Sequence, residues 1–137
     1  MQLEFALFCE AAEVSDNGLI YILHGGYDLV STTAFPAVLN RVSLVVRFLV
    51  EPKECKREHR LIAQMIGPRG DVLPVPMECN FTTPSYPGKP KRRNRTTLRL
   101  DYWNLMFPEP GDYAFRFLVD GKKIGQSELE VKKKGKG

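Results

Sequence analysis

Side chains that carry chemistry are scarce in this chain, which has two histidines, three cysteines and one tryptophan among 137 residues. The cysteines, Cys9, Cys55 and Cys79, are odd in number and widely spaced, which argues against a disulfide framework and suits a reducing compartment. Apolar runs are short as well. None approaches the ~20 residues that a membrane helix requires, and the longest, Val42 to Val50, is interrupted by Arg47. The amino end shows no basic stretch followed by a long apolar one, so no secretory signal is expected and a cytoplasmic location is. Motifs of catalysis are missing too. There is no nucleophile elbow, phosphate loop or carboxylate pair, and Gly25-Gly26 lacks the rest of a dinucleotide fingerprint, so the expectation is a non-enzyme with no metal and no cofactor.

What is present describes a folded domain. Apolar residues make up 43% of the chain and charged residues 26%, a balance that supports a continuous core and argues against disorder. The formal net charge of +4 is unevenly placed. Lys89, Lys91, Arg92, Arg93 and Arg95 form one basic cluster and Lys132, Lys133, Lys134 and Lys136 another. We expect one domain over residues 1–131 and a basic flexible tail over 132–137.

The patterning is that of strands. Phe107-Pro-Glu-Pro-Gly111 writes a turn, Tyr113, Phe115, Phe117 and Val119 then alternate at period 2, and Asp120-Gly121 turns the chain back. Ile124 to Val131 completes that hairpin with Leu129 and Val131 inward. At the other end, Leu3, Phe5, Leu7 and Cys9 fall on one face of a first strand, Ser15-Asp-Asn-Gly18 turns, and Leu19 to Gly26 returns. Arg41 to Glu51 is apolar on both faces, as in a central strand, with Val42, Leu44, Val46, Phe48 and Val50 on the core side. Further strands are expected at Arg60 to Ile66 and at Arg95 to Trp103, where Leu98, Leu100 and Tyr102 oppose Thr97, Arg99 and Asp101. Leu73 to Phe81, with Pro74 and Pro76, is expected at a sheet edge, and Tyr27 to Phe35 and Thr82 to Asn94 are expected as loops. About eight short strands at hairpin spacing predict an all-β, antiparallel β-sandwich, immunoglobulin-like or similar.

Two blocks carry a resemblance to a family of small uncharacterised bacterial proteins. They are Phe5-Ala-Leu-Phe-Cys-Glu-Ala-Ala-Glu-Val14, followed by Gly18, Ile22-Leu-His-Gly-Gly26 and Phe35-Pro36, and Phe107-Pro-Glu-Pro-Gly-Asp-Tyr113 with Val119-Asp-Gly121. The likeness spans about Leu3 to Val131 and implies a compact β-sandwich. It implies no activity and no site residues. The tyrosine near the start of a late strand is also similar to immunoglobulin-like sandwiches, although their Cys, Trp and Cys pattern is missing.

Candidate site residues are therefore read from the chain alone. Lys89, Lys91, Arg92, Arg93 and Arg95 on one loop could neutralise phosphates or meet an acidic partner, with Tyr86 able to stack on a base and Arg99 and Tyr102 extending the theme. A solvated loop is the plainer reading. Cys55 and His59 hold metal-capable atoms near each other, but a turn with solvated charges is preferred to a metal site. His24 reads as a core or interface imidazole, and Cys9, His24 and Asp28 could be nominated as nucleophile, base and acid without a motif to support them. Trp103 reads as core packing, whereas an exposed Trp103, Met106 or Phe107 would point to a partner site. The first expectation is a protein-interaction module that works through sheet edges and loops, by self-association or with another protein. The second is a nucleic-acid-binding accessory protein using residues 89–95 and the C-terminal lysines. No membrane contact and no small-molecule substrate is expected.

Overall fold

The computed structural model of the chain describes residues 1–85 and 94–135. In chain order these residues form β1 (Gln2–Val14), β2 (Ile20–Tyr27), β3 (Leu29–Thr32), β4 (Ala37–Val50), β5 (Glu58–Ile66), β6 (Met77–Thr82), β7 (Asn94–Phe107), β8 (Gly111–Val119) and β9 (Lys122–Lys133). The strands make two packed sheets, ordered β2-β1-β4-β7 and β3-β9-β8-β5-β6. A single 3-10 turn occupies Pro52–Glu54, and no helix among the described residues is long and apolar enough to cross a membrane. The all-β sandwich expected from the sequence is the observed architecture.

Alternation builds the core. Val42, Leu44, Val46, Phe48 and Val50 of β4 are all buried, facing Leu61, Phe115, Phe117 and Leu129 of the other sheet. Phe8 meets Phe115 edge-on across the sheets at 5.0 Å, and Tyr102 meets the same ring at 5.7 Å. Each of these side chains contributes ~1.5–3 kcal/mol by leaving water. β4 is central because both of its faces are apolar: Val45 points away from this core yet is fully buried. It lies in a second cluster with Cys9, Ala12, Phe5, Leu7 and Ile20 on the outer face of the sheet. The Arg47 guanidinium covers that cluster 5.1 Å above the Phe5 ring, an aliphatic stem over an apolar surface with its charge on an aromatic face.

Four expectations change. Nine strands form instead of about eight, because Leu29–Thr32, expected in a loop, pairs with β9. That pairing is parallel, the exception in an otherwise antiparallel structure. It also holds Lys132 and Lys133 in the ladder, with Lys134 N donating to Thr32 O at 2.6 Å, so the domain runs past residue 131 and the expected tail 132–137 begins as strand. In β1 the pairing with β4 shifts between Leu3 and Phe5. The bulge turns Leu3 toward the main core while Phe5, Leu7 and Cys9 share the outer cluster, which breaks the common face expected of those four residues.

Two hairpin ends have local causes, one in the backbone and one in a side chain. Asp120 and Gly121 both adopt left-handed backbone, φ 52° and 83°, as a two-residue turn between β8 and β9 requires. Where β7 gives way to β8, the Tyr113 hydroxyl donates to Glu109 O at 2.6 Å and accepts from Glu109 N at 3.2 Å. This is the tyrosine-corner arrangement of immunoglobulin-like sandwiches.

Candidate functional site

Tyr86, Lys89, Lys91, Arg92 and Arg93 lie outside the described residues. Arg95 and Arg99 are on β7, and both are engaged within the fold. Arg95 Nε lies 3.1 Å from Glu4 Oε2, while Arg99 contacts Asp101 Oδ2 at 3.1 Å and donates to Ala12 O at 2.9 Å. Arg47 completes the group, donating to Thr97 Oγ1 at 2.9 Å and Gly18 O at 3.2 Å. Arg47, Arg95 and Thr97 line a cavity of about 420 Å³ against the Ser15–Leu19 turn. Tyr102 does not extend this basic surface. It faces the core, 3% exposed, because it alternates with Arg99 and Asp101.

The histidines exchange the roles expected of them. His24 is 83% exposed, 3.5 Å from Glu10, in left-handed backbone with φ 54°, so it is not a core imidazole. His59 is the buried one. Its Nδ1 lies 2.6 Å from Asp120 Oδ2 and its Nε2 2.6 Å from Glu54 O. Two acceptors facing two ring nitrogens favour the doubly protonated ring. Burial opposes that charge, but the Glu54 carbonyl and the Asp120 carboxylate outweigh it and raise the His59 pKa above 6.5. Asp120 is held below its ordinary value, first by the Arg60 backbone N–H and then by His59. The Cys55 thiol contacts Glu51 O at 3.5 Å, so Cys55 and His59 are each committed to backbone or carboxylate partners. No group of three or more histidine, cysteine or acidic side chains able to hold a metal occurs among the described residues.

The nominated nucleophile is also occupied elsewhere. Cys9 is fully buried against Ser43 O, and burial followed by the Asp101 charge raises its pKa, the direction that suppresses a thiolate. His24, Glu10, Arg41 and Tyr27 instead line a cavity of about 520 Å³ where β2 crosses to β3. The Tyr27 phenol there is pushed up to about 12, mainly by burial.

The most exposed apolar surfaces are at opposite edges of one sheet. Among the described residues β2 pairs with β1 alone, which leaves its outer row of N–H and C=O groups open there. Around it Leu19, Tyr21, Ile22 and Leu23 are 61%, 68%, 41% and 63% exposed. At the other edge, on β7, Trp103 is 64% and Met106 50% exposed, whereas Phe107 is buried. Trp103 is therefore not core packing: with Tyr102 inward, the next residue must face out. The Arg41 guanidinium sits 5.0 Å over its ring. Leu73 to Phe81, expected at an edge, supplies β6, whose described pairing is with β5 alone.

A family model, described as a family of unknown function (DUF6941), matches residues 4–132. The chain belongs to this family. No curated protein matches it. In this DUF6941 member the matched span reaches all nine strands, missing only Gln2, Leu3 and Lys133 at their outer ends, so both exposed edges and the two hairpin ends are parts of the family domain. The β2 edge escaped sequence reading for a physical reason. Leu19-Ile-Tyr-Ile-Leu23 is apolar at every position, a pattern that ordinarily marks a strand covered on both sides.

Proposed function

We propose that this protein is a non-enzymatic interaction module that binds an extended segment of protein along β2. The observation that carries the reading is the first half of that edge, Ile20 to Leu23, which lacks the usual protection, whereas His24 and Gly26 beyond it adopt left-handed backbone and the pairing with β1 shifts register. Natural edge strands are shortened, charged, bulged or broken by proline. β3 has four residues, β6 has six and is preceded by Pro74 and Pro76, and β7 carries Arg95 and Arg99. β2 runs Ile20-Tyr-Ile-Leu-His-Gly-Gly-Tyr27 with no proline, lysine, arginine or acid. Strand addition takes affinity from main-chain hydrogen bonds and selectivity from alternate side chains, and Tyr21 and Leu23 stand at alternate positions. A second copy is the simplest occupant, since two β2 edges can pair about a twofold axis.

Sedimentation velocity over a concentration series, with hydrogen exchange at those alternate amides of Ile20 to Leu23 that point away from β1, tests the reading. Association should persist in high salt, protect those amides and vanish in Tyr21→Lys/Leu23→Lys. If those amides exchange as open ones at every concentration and also in extract from the source cells, the β2 reading fails. Association with nucleic acid that weakens steeply with salt would put the basic-loop reading first. Arg95 and Arg99 already having acidic partners weighs against that alternative.

A further inference from the structure

From a buried position His59 ties together three separate pieces of chain. It sits at the start of β5, with Nδ1 2.6 Å from Asp120 Oδ2 in the β8–β9 turn and Nε2 2.6 Å from Glu54 O in the Pro52–Glu54 turn. A neutral imidazole has one N–H and can donate to only one of these acceptors. Asp120 takes that proton in preference, because a hydrogen bond to a carboxylate is about twice as strong as one to a neutral carbonyl. The Nε2 lone pair then faces the Glu54 carbonyl, two buried acceptors with no proton between them, which is costly. Little else holds that turn down. None of its three residues is buried, and the bonds from Glu54 N to Glu51 O and from Cys55 N to Pro52 O close it without tying it to a sheet. Its neighbouring anchors are the Met1 amino group, 2.9 Å from the Glu54 carboxylate, and the Lys56 N–H, which donates to Thr83 O at 3.0 Å. Elements with few buried apolar contacts are the first to open.

We infer that His59 is a proton-operated latch: doubly protonated it holds the Pro52–Glu54 turn against β5, and loss of the Nε2 proton as pH rises releases the turn and uncovers the Cys55 thiol while the sandwich stays folded. The charged groups facing the ring are Asp120 and the Glu54 carboxylate, which favour the closed form, and Arg57, which opposes it; β6 presents the Phe81 ring at 5.5 Å. The His59 pKa is raised, so the latch is fully closed below the ordinary 6.5 and opens as pH rises through the folded value. It belongs to the other sheet from β2 and stands apart from the association proposed there.

Asp120→Asn is the deciding variant. Asp120 Oδ1 accepts from Arg60 N at 3.0 Å, so an amide keeps that bond and places its NH2 where Oδ2 stands, donating to Nδ1. Neutral His59 then keeps its proton on Nε2 for Glu54 O, and the turn stays closed at high pH. The left-handed backbone at this position, φ 52°, suits asparagine. Alkylation by iodoacetamide, followed peptide by peptide with mass spectrometry, reads the turn through Cys55, 8% exposed, while the fully buried Cys9 reports global unfolding. Dividing the Cys55 rate by that of Asp120→Asn at the same pH removes the effect of thiol ionisation. The quotient should be near one at about pH 6 and rise about ten- to hundredfold by about pH 10, the worth of a hydrogen bond to a charged group, with Cys9 unreactive. A quotient that stays flat overturns the inference, and equal opening in both proteins would assign it to the Met1 amino group. Cys9 reacting in step with Cys55 overturns it as well, because the opening is then global.

Discussion

Replacing Tyr113 with Phe should destabilise the domain through one oxygen atom. The ring is 1% exposed and meets Phe107 edge-on at 5.0 Å and 81°, a contact that phenylalanine keeps. What goes is the 2.6 Å bond to Glu109 O and the 3.2 Å bond from Glu109 N. Both backbone groups then lose their partner beside a buried ring, at a cost of ~1–3 kcal/mol. Unfolding entropy of ~2.1 cal/mol/K per residue gives ~0.29 kcal/mol/K for a chain of this length, so the melting temperature should fall by about 3–10 °C. Urea denaturation followed by circular dichroism measures the loss, with an unchanged slope showing that neither end state has been remodelled. Tyr21→Phe, on a side chain 68% exposed, serves as the control and should change little. A loss for Tyr113→Phe below about 0.5 kcal/mol would refute the claim that the corner bond stabilises the fold rather than merely accompanying ring burial.

The His59–Asp120 pair makes stability depend on pH at both ends. Because the His59 pKa is raised, its contribution is complete below the ordinary 6.5 and is lost as pH rises through the folded value. The Asp120 pKa is lowered, so its contribution is complete above 3.8 and is lost as pH falls through the folded value. Denaturation should show greater stability near about pH 5 than near about pH 8, with the difference shrinking in Asp120→Asn; equal stability at both would contradict the pairing. Gly111→Ala should cost ~1–3 kcal/mol, because its backbone has φ 144° and an added Cβ would lie 2.7 Å from Pro68 Cβ and Cγ; thermal melting checks it. Val45→Ala should cost ~1–3 kcal/mol although Val45 faces away from the main core, while Val38→Ala, 46% exposed on the same strand, should cost under ~0.5 kcal/mol. Equal losses at the two valines would remove the case for an outer cluster.

Features written locally were legible before folding. The period-2 runs of β4, β8 and β9 and the Asp120-Gly121 and Ser15-Asp-Asn-Gly18 turns need only neighbouring residues, and the strands form there. β3 was illegible because its ladder partner is near the far end of the chain and its four residues, Leu-Val-Ser-Thr, contain little that a loop would lack. Trp103 was misread although the information was available. Placing Leu98, Leu100 and Tyr102 inward obliges Trp103 outward, and strand parity here outweighs the general tendency of tryptophan to be buried. His59 carried no local cue at all, since its Asp120 partner arrives only when β5 and β8 pair.

The contrast between two tyrosines bears on where function can reside. Most buried polar groups here are part of the scaffold: Ser43 bonds Asp101 at 2.6 Å, His59 bonds Asp120 and Glu54, and Tyr113 closes the corner. Each is satisfied, so each can be removed only at the expense of the fold. Polar atoms left open are different, because they add nothing to the free protein that a partner would not add more of. One such feature adjoins exposed apolar surface, the outer row of β2 that no described strand pairs. Sites of binding are where local rules for a stable fold are broken, and the same Tyr→Phe change distinguishes the two kinds of group. At Tyr113 it should cost stability. At Tyr102, whose buried hydroxyl has no partner among the described residues, it should leave stability unharmed, a difference that ring burial alone, nearly equal at the two positions, would not produce.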